Sequence, residues 1–131
     1  MSSQKTFLTA FNNQFTEFLD AVYGIFPNST QIAYTRNSLT MLRKVNPKLI
    51  LSTWYQCIAV QYKDEISRGD ASFFIEKNYQ NDLSSYESGD KILKSIESLR
   101  DSIRDMTTDD QATAMKYIQN LSKLSIMYHE V

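Results

Sequence analysis

Few residues in this chain could do chemistry. His129 is its single histidine and Cys57 its single cysteine. No Cys/His pair or Ser/His/Asp set can therefore be assembled without position 129, and no CxxC zinc site exists at all. Three groups of carboxylates lie close enough in sequence to act together: Asp64-Glu65, Asp109-Asp110, and Glu97, Asp101 and Asp105 at helical i,i+4 spacing. A metal-binding carboxylate cluster in a helical protein normally faces the interior or is completed by histidine. Here Lys94, Arg100 and Arg104 interleave with the third group, the signature of a solvated helix face. No glycine-rich phosphate loop is present. The expectation is a non-enzymatic protein with no catalytic, cofactor-binding or metal-ligating residue. Cys57, between Trp54 and Ile58, reads as a small buried packing residue, and His129 as an exposed or dipole-compensating side chain.

Charge is distributed less evenly than the net value of −1 suggests. Between Asp20 and Asp64 no acidic residue occurs, while Arg36, Arg43, Lys44, Lys48 and Lys63 give that stretch a charge of +5. Arg36, Arg43, Lys44 and Lys48 are the candidate partner-binding residues. The expected partner is an acidic protein. The alternative is a nucleic-acid-associated protein using the same 36–48 segment on phosphates, an idea helped by cations beside a helix start. Five charges without an arginine-rich run or aromatic stacking motif favour the protein partner.

The elements that must position these residues are helical. Three glycines and two prolines in 131 residues cannot supply the frequent turns of an all-β domain. Phe7, Phe11, Phe15, Phe18 and Val22 recur at steps of 4, 4, 3 and 4, which predicts a helix from about Ser3 to Phe26, stopped by Pro27. Asn28 or Ser29 then caps a second helix carrying Ile32, Leu39 and Leu42 to about Lys44. Asn46-Pro47 reads as an N-cap and first helical residue. The third helix carries Leu49, Ile50, Trp54, Cys57, Ile58, Tyr62 and Ile66, and Gly69 closes it in the left-handed region.

Asp70 is placed to cap a short helix with Phe73, Phe74 and Ile75, of which at least one phenylalanine should be buried. A polar surface loop follows near 78–89. Ile92, Ile96, Leu99, Ile103 and Met106 predict a fifth helix, expected to pair antiparallel with the sixth or, alternatively, to form a homo-oligomer through 90–106. Thr108-Asp109-Asp110-Gln111 is a capping-box pattern for the sixth helix, with Ala114 or Met115, Ile118, Leu121, Leu124 and Tyr128 on its inner face. The fold class expected is all-α, a single compact bundle of five or six helices spanning 1–131.

No stretch of the chain has the apolar core of a signal peptide or the length of a membrane span. A cytoplasmic protein without membrane insertion is the plain expectation, and a lone cysteine agrees with a reducing compartment.

Three segments together carry a likeness to known proteins: Phe11-Asn12-Asn13-Gln14-Phe15-Thr16-Glu17-Phe18-Leu19 ending in Ile25-Phe26-Pro27; Val45-Asn46-Pro47-Lys48-Leu49-Ile50 leading to Trp54; and Gly69-Asp70-Ala71-Ser72-Phe73-Phe74-Ile75-Glu76-Lys77-Asn78-Tyr79. In this order and spacing the chain resembles, over about residues 7–83, a group of small helical proteins of large nucleocytoplasmic DNA viruses. The resemblance implies a host cytoplasm, viral factory or virion location, and a structural or virion-associated role. It implies no activity and no site residue.

Overall fold

Phe7, Phe11, Phe15, Phe18 and Val22 share one face only if the first two dozen residues wind as a helix, and α1 runs Ser2–Ile25. The structure is a computed structural model describing residues 2–70 and 89–131, without side-chain placements for Ser2, Cys57, 89–94, Ile96 and Glu97. Its other helices are α2 (Thr30–Val45), α3 (Leu49–Trp54), α4 (Lys63–Ser67), α5 (Gly89–Arg104) and α6 (Thr108–Glu130). Among the described residues there is no strand, so the fold is all-α. The expected helix with Phe73, Phe74 and Ile75 lies outside the described residues, as does the polar loop up to position 88, and the packing reading of Cys57 falls on an undescribed side chain. Gly89 already belongs to α5.

α1 organises the packing. Phe11, Phe15, Phe18, Leu19 and Val22 are buried in one apolar cluster, while Phe7 packs at its edge. Burying an aromatic side chain contributes about 2–3 kcal/mol before entropy is counted, so this stripe has to find cover. α6 covers most of it. Gln4 donates to the Tyr128 carbonyl, Asn120 to Gln14, and Phe18 stacks on Tyr117 at 5.4 Å, a descending register that makes the two helices antiparallel. α2 also runs antiparallel to α1, because Thr16 meets Arg43 while Asp20 meets Arg36.

α5 lies chiefly against α2, where Gln31 Nε2 donates to Ser98 Oγ at 3.0 Å. The expected α5–α6 pairing is thus a minor contact, centred on Gln111 Nε2 and the carbonyls of Ile103 and Arg104. α6 has the longer phenylalanine face of α1 available, and larger apolar area wins. Leu99, Ile103 and Met106 are buried within the chain, so the C-terminal half of the α5 seam is used internally.

The helix ends follow local chemistry, with three departures from expectation. Ser29 caps α2 by accepting from the Ile32 N–H. Gly69, at φ +71°, closes α4 in a Schellman arrangement: the Asp70 N–H donates to the Glu65 carbonyl and the Gly69 N–H to that of Ile66. The α3 start is later than expected. Asn46 ends α2, its carbonyl and Oδ1 accept from Leu49 N–H and Lys48 N–H, and this turn delays the helix to Leu49. Thr107 rather than Thr108 caps α6, accepting from the Asp110 N–H at 3.2 Å, and Gln111 reaches back to α5 instead of completing a capping box.

The third departure is in the helix expected to run unbroken to Ile66. At Tyr55–Ala59 the backbone widens into a π turn, with the Val60 N–H donating to the Tyr55 carbonyl at 3.1 Å. Gln61 Nε2 satisfies the Gln56 carbonyl, and the chain bends through Tyr62 before α4 begins.

Candidate interaction surface

The acid-free stretch between Asp20 and Asp64 runs from the end of α1 through α2, α3 and the π turn to the first residue of α4, and its four candidate residues divide into two pairs. Arg36 and Arg43 are seven residues apart on the side of α2 that faces α1. Arg36 Nε donates to Asp20 Oδ1 at 2.7 Å, and its guanidinium lies 5.2 Å from the centre of the Tyr23 ring. Asp20 and Tyr23 are one turn apart on α1, so salt bridge and cation–π contact act on one guanidinium together.

Arg43 is held by neutral acceptors alone. It donates to Thr16 Oγ1 at 3.0 Å, Asn13 Oδ1 at 2.9 Å and the Asn12 carbonyl at 3.4 Å. Asn12 is itself buried and donates to the Pro47 carbonyl at 3.0 Å, which ties the α2–α3 turn to α1. Its Oδ1 is buried with no partner among the described residues. The planar guanidinium suits this fork of acceptors, as a lysine would not.

The side chains of Lys44 and Lys48 take no part in this junction. Both are exposed, and neither side chain makes a hydrogen bond or ion pair with the described residues. Two of the four candidates are therefore structural ties between helices, and two are open to solvent.

The surface beside Lys44 holds residues that the sequence reading did not single out. Tyr34, Met41 and Val45 are 68%, 66% and 81% exposed, against 3% for Leu39 on the same helix. At about 100° per residue, these three positions lie within about 40° of one another around α2. They form a straight apolar stripe about 120° around the helix from the centre of the buried residues Ile32, Thr35, Leu39 and Leu42. Their spacing of seven and four residues was the available signal: α2 carries two apolar faces, and a helix on a small core buries one.

Trp54 Nε1 donates to Ser122 Oγ at 2.9 Å inside the core, and its ring meets Phe11 and Phe15 edge-on. His129 lies in the last turn of α6, exposed as expected, with its ring stacked 3.8 Å from that of Tyr55 and Nδ1 2.9 Å from the Ser125 carbonyl. Asp101 pairs with Arg104 on the solvent side of α5. Among the described residues no three His, Cys, Asp or Glu side chains converge as a metal site would require. No described helix is long and apolar enough to cross a membrane. A groove of about 430 Å³ between α4 and α6 is lined by Ile66, Ser122 and Ile126, with Lys63, Lys123 and Glu130 as its charged residues.

Comparison with protein-family models, with curated proteins and with solved structures finds no match to this chain.

Proposed function

We propose that this chain is a non-enzymatic interaction protein that presents the outer side of α2 and the α2–α3 turn to an acidic protein partner. One observation carries the proposal: Lys44 and Lys48 stand exposed and unpaired within the described residues, in a 43-residue stretch that contains no carboxylate. Arg36 and Arg43 support the surface from behind by fixing α2 on α1. The viral resemblance adds the proposal that the partner belongs to a virion or viral factory, and that part rests on the three quoted segments alone.

The test is retention of labelled polyglutamate by the folded chain, read by fluorescence anisotropy, with duplex DNA as the competing probe. The double variant Lys44→Glu, Lys48→Glu should bind polyglutamate several-fold more weakly at low salt while keeping its urea midpoint, because exposed charges contribute at most about 1 kcal/mol to stability. Polyglutamate binding that is unchanged in the double variant overturns the proposal. Preference for DNA, with a log–log salt slope of about −0.9 per phosphate contact, would transfer the surface to nucleic acid.

A further inference from the structure

Charge selects the sign of the partner, and the shape of the exposed face selects its form. Tyr34, Met41 and Val45 extend eleven residues along α2, about 16 Å at the rise of an α-helix. The stripe is one side chain wide, with exposed Asn37 and half-buried Ser38 beside it and Gln31 engaged by Ser98 on α5. A narrow, straight apolar line of three turns matches the seam of a single helix packed alongside, whose anchors recur at i, i+3 or i+4, and i+7. Lys44 directly precedes Val45, and Lys48 follows it three residues later, so the cations sit at one end of that line.

We infer that the occupant of this face is an acidic amphipathic helix of a partner protein, lying along Tyr34, Met41 and Val45 with carboxylates turned toward Lys44 and Lys48. The inference rests on the interaction reading above and adds the partner's secondary structure and apolar register to it. A second copy of this chain fits less well. In an antiparallel two-fold pairing Lys44 would lie opposite the Tyr34 end of the other copy's α2, and the 21–63 stretch has no carboxylate to meet it there. Three side chains also supply far less than the roughly 800 Å² per partner that a stable interface buries. A transient contact with one partner helix tolerates that smaller area.

The experiment uses the full chain and three synthetic peptides of about four helical turns. One is an acidic amphipathic helix with leucines in phase; one has the same composition, scrambled to lose that phase; one replaces each glutamate with lysine. Anisotropy should show the in-phase acidic peptide binding about tenfold or more tighter than the scrambled one, a difference of about 1.4 kcal/mol. Met41→Glu should abolish that preference, with circular dichroism and the urea midpoint of the variant unchanged.

Equal binding of in-phase and scrambled acidic peptides, both weakened by the Lys44→Glu, Lys48→Glu double variant, overturns the helix inference and leaves the interaction reading standing. Binding of the lysine peptide as tight as that of the acidic one overturns both. Concentration-dependent doubling of mass in sedimentation, lost in Met41→Glu, assigns the face to a second copy and likewise overturns the inference.

Discussion

α1 and α2 are both long helices with strong apolar positions, yet they spend them differently. α1 places its phenylalanines and Val22 toward the interior, where α6 and α3 close over them. α2 buries Ile32, Thr35, Leu39 and Leu42 and leaves Tyr34, Met41 and Val45 in water. The basic residues on α2 divide the same way, Arg36 and Arg43 toward α1 and Lys44 toward solvent. The contrast separates what holds the molecule together from what it can offer. Apolar residues that folding does not use are those available for recognition.

The largest effect that could break this contrast belongs to α1. Phe18 is fully buried and stacks on Tyr117, so Phe18→Ala should cost about 3–5 kcal/mol in urea unfolding. A loss near zero would mean that α1 does not organise the core. Arg43→Ala sharpens the comparison at the next level. It removes bonds to Asn12, Asn13 and Thr16 from a half-buried guanidinium and should cost about 1–2 kcal/mol, while Lys44→Ala, one residue away, should stay within about 0.5 kcal/mol. Equal effects at positions 43 and 44 would erase the division between tying and open cations.

Much of this was legible in the residue order because it depends on short-range spacing. The α1 stripe, the Ser29 cap and the left-handed Gly69 each follow from a few neighbouring side chains and the backbone rules they obey. The π turn was not legible, since Trp54, Ile58, Tyr62 and Ile66 keep a regular step of four whether or not an extra residue widens the coil. The cap of α6 slipped by one because Thr107 and Thr108 are adjacent and equally able to accept. At the candidate surface, the acid-free stretch could be counted, but Arg43 could not be told from Lys44. Their difference arises from Asn12, Asn13 and Thr16, about 30 residues earlier in the chain and brought near only by helix packing. The pairing of α5 with α2 was hidden for the same reason, as periodicity reports which face is apolar but not which neighbour meets it.

A free partner surface requires α2 to keep one buried and one open apolar face in the isolated chain. Urea unfolding of Leu39→Glu and Met41→Glu, two residues apart, tests this directly. Leu39→Glu should lose more than about 4 kcal/mol by burying an unpaired charge, and Met41→Glu should change stability by less than about 0.5 kcal/mol. A Met41→Glu variant destabilised by as much as Leu39→Glu would show that the stripe is already covered in the folded chain, and would leave no free face for a partner.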